Sequence, residues 1–293
     1  MSVVIPTTLA EAVAVLAERP DAVVLAGGTD LMVAINEGHR QIGREALVVG
    51  VNRVPELRSW TIDRSAGTLR IGAAVTYAEL AAPPLAGLVP ALAQAARTVG
   101  SPQIRNAATI GGNVVTCSPA GDGLPVLAAL EAIVELVSGD GVRELPIGEV
   151  MVGVKQTALR RGELVTATTV PLLDGWQGYA KVGVRNAMVI AIAGACLAVD
   201  GPSRSVRLAL ASVAPTIVRA EAAEAYARQA VDWSEGTIAA GAVAEFGRLT
   251  ATASTPIDDH RSTADYRRHS IDVLARRLLG RAFTVTGADR VPA

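Results

Sequence analysis

The chain has 293 residues, enough for one large domain or two smaller ones, and its formal net charge at pH 7 is only -1. Half of the residues are apolar and 19% are charged, a composition typical of a compact globular protein and not of a disordered one. The near-neutral charge and the 3% aromatic content disfavour nucleic-acid binding, which needs basic surfaces and stacking platforms.

The cysteine content limits the chemistry that the chain can carry by itself. Cys117 and Cys196 are its 2 cysteines, so it cannot supply four thiolates to an iron–sulfur cluster and does not look like a secreted disulfide scaffold. We therefore predict no metal on this chain and a cytoplasmic location. The longest uncharged apolar run, Met188 to Val199, is too short for a membrane span. No basic segment precedes Glu11, which argues against a signal peptide.

The first predicted unit, residues 1–54, has the order helix, strand, glycine segment, helix. Thr8 to Glu11 has the capping-box pattern that opens a helix. Short apolar runs that end in turn residues predict strands. These runs are Asp21 to Ala26 and Val48 to Val51.

The second predicted unit covers residues 55–175 and mixes strands with helices. A hairpin is expected from Trp60 to Ala73, and a second capping box begins at Thr76. Val89 to Val99 predicts a helix. Ser101 to Pro125 is rich in Gly, Pro, Asn, Ser and Thr, so we expect a long irregular loop of the kind that usually has a function. Strands are then expected at Ala128 to Val137 and Leu164 to Val170.

The third predicted unit, residues 176–293, begins with strands and ends with helices, which is an α+β order. Its strands are expected at Tyr179 to Val184, Val189 to Val199 and Val206 to Val213. Its helices are expected at Ala220 to Val231, at Ser234 to Phe246, and from Thr263 onward.

Two glycine pairs are the strongest candidates for ligand binding. One lies in Ala26-Gly27-Gly28-Thr29-Asp30, directly after a strand, and the other in Thr109-Ile110-Gly111-Gly112-Asn113. Glycine lets bare backbone N–H groups approach an anion such as a pyrophosphate, although each pair could also be an ordinary tight turn. Neither a G-x-G-x-x-G nor a Walker A motif occurs, so a Rossmann domain is disfavoured.

A series of blocks along almost the whole chain resembles the FAD-binding (medium) subunits of the molybdenum hydroxylase family, of the xanthine, carbon-monoxide and nicotine dehydrogenase type. In chain order the blocks are AGGTDLMV (26–33), QIRNAATIGGN (103–113), SPAGDGLPVLAAL (118–130), GELVTATTVP (162–171), YAKVGVRNAMVIA (179–191), SVAPTIVRAEAAE (212–224) and TADYRRHSIDVLARRLL (263–279). Any one block is weak evidence, but their order is specific.

The resemblance implies a fold and a set of cofactor-binding residues. The fold is α+β: a p-cresol-methylhydroxylase-type, two-part FAD-binding domain (1–175), then a small domain (176–293) with a three-stranded antiparallel sheet and helices. Asp122 matches a position that contacts the flavin nucleotide, and Leu164 and Lys181 match positions near the flavin ring. The pyrophosphate would be held by Ala26, Gly27, Gly28, Thr29, Asp30, Thr109, Ile110, Gly111, Gly112 and Asn113. Cys117 is expected to be a buried residue and not a covalent tether, so FAD should be non-covalent.

The resemblance also implies partners, and we find no acid–base pair on this chain for substrate chemistry. An iron–sulfur small subunit with two [2Fe-2S] clusters and a molybdopterin large subunit would complete a complex, as a dimer of heterotrimers. Electrons would pass from the clusters through FAD to NAD, oxygen or a quinone. Two alternatives stay open: a self-contained FAD-dependent oxidase or dehydrogenase, and a non-catalytic scaffold subunit.

Overall fold

The structure, a computed structural model, describes residues 2–186 and 188–287. The last residues of the expected C-terminal domain, 288–293, lie outside this range. Three successive units can be distinguished, each built around its own principal β-sheet.

The N-terminal unit is a parallel sheet with one face covered by a helix. Its elements are β1 (Ser2–Val4), α1 (Leu9–Glu18), β2 (Val23–Leu25), α2 (Leu31–Asn36), β3 (Leu47–Gly50) and α3 (Pro55–Arg58), with strand order β1-β3-β2. Helix α1 begins where expected, because the Thr8 side chain accepts a hydrogen bond from the backbone N–H of Glu11. Its buried residues Ala12 and Leu16 pack with Val49 of the central strand.

The middle unit is a five-stranded antiparallel sheet with short helices. Its elements are β4 (Trp60–Asp63), β5 (Thr68–Gly72), α4 (Tyr77–Leu80), α5 (Leu85–Leu88), α6 (Pro90–Thr98), α7 (Pro102–Ala107), α8 (Ile110–Thr116), α9 (Gly123–Ala129), β6 (Ile133–Ser138), β7 (Gly141–Pro146), α10 (Ile147–Val150), β8 (Met151–Gly153), β9 (Gln156–Thr157) and β10 (Leu164–Pro171). The strand order is β4-β5-β10-β6-β7. The hairpin β4–β5 and the capping box at Thr76 are confirmed.

The expected long loop from Ser101 to Pro125 is wrong, because this stretch forms α7, α8 and the start of α9. The Ser101 side chain caps α7 by accepting a hydrogen bond from the backbone N–H of Ile104. The Thr109 side chain caps α8 in the same way, with the N–H of Gly112 as the donor. Glycine and asparagine are poor helix formers, which explains the error. The expected strand from Ala128 starts later, at Ile133, because α9 continues to Ala129.

The C-terminal unit has a four-stranded antiparallel sheet, so the expectation of three strands is wrong. Its elements are β11 (Gln177–Val182), β12 (Ala193–Asp200), β13 (Ser205–Ala211), β14 (Val218–Arg219), α11 (Glu221–Ala230), β15 (Thr237–Ala239), α12 (Ala240–Thr252), α13 (Ala264–Ala282) and β16 (Thr284–Thr286). The extra strand, β14, has only two residues and therefore no alternation to detect in the sequence. The helix expected from Ser234 begins at Ala240 instead, after β15.

The middle and C-terminal units share one hydrophobic core. Tyr179, Cys196 and Ala209 of the C-terminal sheet belong to the buried cluster that fills the middle unit, and α9 packs on β12 and β13. Hydrogen bonds cross the same boundary: the N–H of Tyr179 donates to Gln94 Oε1 at 2.8 Å, and the N–H of Ser212 to the Pro119 carbonyl at 2.8 Å. Among the described residues, no helix is long and apolar enough to cross a membrane.

Candidate cofactor-binding site

A cavity of about 1010 Å³ opens where the three units meet. This volume is at the upper end of the range for small-molecule sites, so it suits a large ligand. Most of the residues predicted from the sequence lie on its wall: Ala26, Gly27, Gly28, Thr29, Asp30, Thr109, Gly111, Gly112, Asn113, Asp122 and Leu164. Ile110 and Lys181 do not, since Ile110 is 0% exposed in the core and the Lys181 ammonium is turned toward Asp122.

The first glycine segment presents unused backbone donors to the cavity. The N–H groups of residues 27–31 have no acceptor among the residues that the structure describes, and the first bond of α2 runs from Met32 N to Gly28 O. Gly28 has φ +70°, in the left-handed region that favours glycine. Consecutive unpaired N–H groups at a strand-to-helix turn are the arrangement that binds anions.

The second glycine segment differs, because its donors are already used inside the protein. Ile110 N and Gly111 N donate to the carbonyls of Val75 and Ala73, and Gly112 N donates to Thr109 Oγ1 at 3.0 Å. The segment is the first turn of α8 and not a loop. It therefore forms a wall of the cavity without adding unpaired backbone donors at residues 110–113.

Two of the glycines are required by packing of the chain against itself. A Cβ atom built on Gly27 would lie 1.8 Å from the carbonyl oxygen of Ala107, and one on Gly111 would lie 2.5 Å from the Cβ of Ala73. Gly27 lets the first segment pack against the chain just before the second, and Gly111 lets α8 pack against Ala73 at the end of β5, whereas the sequence suggested that these glycines clear space for a ligand. A Cβ atom built on Gly112 would lie 2.9 Å from Thr109 Oγ1, in the same helix turn. The rest of a side chain there would extend into the cavity.

Buried tyrosines orient the two polar side chains on the cavity wall. The Tyr77 hydroxyl donates to Asn113 Oδ1 at 2.7 Å, and the Tyr179 hydroxyl donates to Asp122 Oδ1 at 2.6 Å. Burial and the nearby Asp122 charge raise the pKa of both phenols, which therefore remain protonated donors. Sequence analysis did not single out Tyr179. Its spacing of two residues from Lys181 on one strand, which puts both side chains on the same face, was the available signal.

The remaining residues near the mouth include charged groups that sequence analysis did not select. His39 and Arg40 line the cavity after α2, and Lys155 contributes an exposed ammonium 3.6 Å from Asp30 Oδ1. Glu163 also lines the wall; burial opposes its ionisation, but hydrogen bonds from the Arg143 guanidinium (2.7 Å) and the Arg160 N–H outweigh burial and lower its pKa.

Cys117 follows the second glycine segment but is turned away from the cavity. It is 3% exposed, and its Sγ lies 3.7 Å from the Gly153 carbonyl oxygen. Burial raises the pKa of this thiol, which disfavours the nucleophilic thiolate. Within the described ranges, no group of three or more His, Cys, Asp or Glu side chains could hold a metal ion.

Comparison with known proteins agrees with this architecture. Residues 1–173 match the family described as "FAD binding domain in molybdopterin dehydrogenase", and residues 179–282 match "CO dehydrogenase flavoprotein C-terminal domain". The chain belongs to the family of FAD-binding medium subunits of molybdopterin dehydrogenases. It is the flavoprotein subunit of an oxidoreductase of the xanthine and carbon-monoxide dehydrogenase type.

The similarity extends over nearly full length in sequence and in structure. A xanthine dehydrogenase FAD-binding subunit of Escherichia coli O157:H7 is 29% identical over 96% of this chain and 95% of its own. The carbon monoxide dehydrogenase medium chain of Hydrogenophaga pseudoflava is 29% identical over 95% of each chain. In a solved structure of carbon monoxide dehydrogenase from that organism, the matching chain superposes with a TM-score of 0.83, covering 96% of both chains.

Proposed function

We propose that this chain binds FAD non-covalently in the cavity and passes electrons from [2Fe-2S] clusters on a partner subunit to a terminal acceptor. Bound flavin would supply the redox chemistry, since it can take up electrons singly and release them in pairs. The protein's own contribution is binding, orientation and exclusion of water.

The observation that carries the proposal is the row of unpaired N–H groups at residues 27–31 on the cavity wall. A diphosphate fits these donors, because oriented backbone N–H groups bind phosphate oxygens without a lysine. Asn113 and Asp122 would contact hydroxyl groups of the same ligand, and Leu164 would provide apolar wall beside the flavin ring. Thr109 to Asn113 would shape the opposite wall.

The proposed partners are an iron–sulfur small subunit and a molybdopterin large subunit, assembled as a dimer of heterotrimers. Support comes from the relatives, of which one is a carbon monoxide dehydrogenase medium chain. We place the division between an FAD-binding domain and a C-terminal domain near residue 175. The cytoplasmic location stays a prediction from the cysteine content.

A self-contained oxidase is less well supported, because it would need an acid or base beside the flavin that is free to move a proton. The two most buried carboxylates on the cavity wall, Asp122 and Glu163, are each held in an ion pair of 2.7 Å. A scaffold that has lost FAD is disfavoured, because the cavity and its unpaired donors are intact.

The test is anaerobic reduction of the flavin in the purified chain, with and without the partner subunits. Candidate substrates, such as aldehydes and aromatic heterocycles, should leave the isolated chain oxidised, although reduced flavin should still pass electrons to an artificial dye. Substrate should bleach the flavin only after both partners are added. Rapid bleaching of the metal-free chain alone would support the self-contained oxidase instead.

The non-covalent attachment has its own test. Acid precipitation of the holoprotein should leave the yellow chromophore in the supernatant, because the buried Cys117 thiol is not positioned to form a thioether in the cavity. The measurement is the absorbance of supernatant and pellet near 450 nm, with authentic FAD as the standard for both fractions. Colour retained by the precipitated chain would contradict this expectation.

A further inference from the structure

The environment of Lys181 leaves its ammonium group no hydrogen to share with a cofactor. An ammonium carries three N–H donors. Lys181 Nζ donates to Asp122 Oδ2 at 2.7 Å and to the carbonyl oxygens of Thr98 and Val189, each at 3.1 Å. The side chain is 9% exposed and is absent from the cavity lining.

Asp122 receives both of its side-chain partners from one strand of the C-terminal unit. Tyr179 and Lys181 stand on the same face of β11 and bond to different oxygens of the carboxylate, Oδ1 and Oδ2. Asp122 precedes α9 in the middle unit, where an aspartate would ordinarily cap the helix, yet its side chain makes no capping hydrogen bond. The carboxylate is therefore oriented across the boundary between the two units.

The charge and free lone pairs of Asp122 give this contact a consequence for the ligand. Each carboxylate oxygen can accept more than one hydrogen bond, so Asp122 can still accept from a ligand hydroxyl on the cavity side. The Asp122 side chain is 9% exposed, and its negative charge is balanced by Lys181. Without that partner, a bound ligand would shield an uncompensated charge from water, which is unfavourable.

We infer that Tyr179 and Lys181 are positioning residues: they fix the Asp122 carboxylate and balance its charge, so that the C-terminal unit controls the affinity of the cavity for FAD. Lys181 acts through Asp122 and not by touching the flavin ring, the role that family resemblance suggested for it. The inference rests on the proposed function, since it takes FAD as the ligand.

A double-mutant cycle on the full-length apoprotein tests the inference, with the Kd for FAD measured by fluorescence titration and the melting temperature measured separately. Lys181→Met should weaken FAD binding at least ~10-fold, because it leaves a buried charge unpaired. Tyr179→Phe, which removes one hydroxyl, should weaken it by about 3- to 10-fold. In an Asp122→Asn background, Lys181→Met should change the Kd by less than about 2-fold, because coupled residues are not additive.

Arg70→Met is the matched control. Arg70 belongs to another part-buried ion pair, with Glu135 at 2.6 Å, and does not line the cavity. This variant should lower the melting temperature and leave the Kd for FAD unchanged, which separates loss of stability from loss of binding.

Each outcome decides between the alternatives. Equal effects of Lys181→Met in the wild-type and Asp122→Asn backgrounds would show that Lys181 acts without Asp122 and would overturn the inference. If Lys181→Met alone does not fold, a change in Kd of more than about 2-fold between Asp122→Asn and Asp122→Asn/Lys181→Met, or an unchanged Kd in Tyr179→Phe, would overturn the inference. A wild-type apoprotein that binds no FAD would overturn the proposed function as well, whereas tight wild-type binding with additive effects removes this inference alone.

Discussion

Replacing Gly112 by valine should weaken FAD binding by roughly 100-fold. Overpacking a filled site costs up to about 3 kcal/mol, and each 1.4 kcal/mol of binding free energy changes the Kd about tenfold. Among the described residues, an added Cβ would have one neighbour within 4 Å, Thr109 Oγ1 at 2.9 Å, so the Thr109 side chain must shift and the rest of the valine would extend into the cavity. The fold should persist, since valine is a better helix former than glycine. The measurement is an FAD titration of the apoprotein alongside thermal unfolding.

Gly241→Val provides the control for this experiment. Gly241 lies in the first turn of α12 and does not line the cavity, and no atom of the described residues lies within 4 Å of a Cβ added to it. Its substitution should leave FAD affinity unchanged. Gly27→Val and Gly111→Val are poorer tests, because their side chains would collide with Ala107 and Ala73 and disturb the protein itself. Full FAD affinity in Gly112→Val would show that the site has been placed on the wrong wall.

Replacing Arg267 by methionine should lower the free energy of unfolding by about 3–5 kcal/mol, the usual consequence of breaking a buried ion pair by removing one partner. Arg267 is 4% exposed on α13. Its guanidinium donates to the carbonyl oxygens of Ile192 (2.7 Å) and Ser212 (2.9 Å), and to Asp259 Oδ1 (2.7 Å). All three acceptors would lose a hydrogen-bond donor. The measurement is the free energy of unfolding, obtained by chemical denaturation of both proteins.

The neighbouring residue supplies the control, and pH supplies a second readout. Arg268→Met should change stability by less than about 0.5 kcal/mol, because Arg268 is exposed and its one ion pair among the described residues is with the exposed Asp265. Burial opposes ionisation of Asp259, but hydrogen bonds from Arg261 N–H and the Arg267 guanidinium outweigh it and lower its pKa to about 2. This value lies below that of an unfolded chain, about 3.9. Asp259 therefore stabilises the fold above about pH 4, and that stabilisation is lost as pH falls toward 2. Arg267→Met should reduce this loss of stability between about pH 4 and pH 2. The same pH dependence in Arg267→Met and the wild type would contradict the pairing of Arg267 with Asp259.

Local sequence signals predicted those elements whose cause is local. The capping box at Thr76 and the cap at Thr263 both form as expected, because each needs only residues within one helical turn. The hairpin β4–β5 also follows from its own alternation and turn. Strand β14 could not be found in this way, because its two residues become a strand only by pairing with β13.

The candidate site shows the same limit. The sequence singled out both glycine pairs, and most of those residues line one cavity. It could not distinguish the two segments, because the acceptors that use the donors of Ile110 and Gly111 lie far away in sequence, at Val75 and Ala73. For the same reason it could not show that Lys181 pairs with Asp122, which comes from another unit.

The packing of α9 has a consequence for anyone who builds chimeras within this family. Helix α9 precedes the C-terminal unit by some distance along the chain, yet it packs on β12 and β13 and begins next to Asp122. The Pro119 carbonyl, just before it, accepts a hydrogen bond from Ser212 N, and Arg219 Nη1 donates to Ala128 O. A crossover near residue 175 would therefore cut through a matched pair of surfaces. An exchanged C-terminal domain should bring its own counterpart of residues 119–131. This holds even though that segment belongs to the middle unit, where Asp122 lines the cofactor cavity.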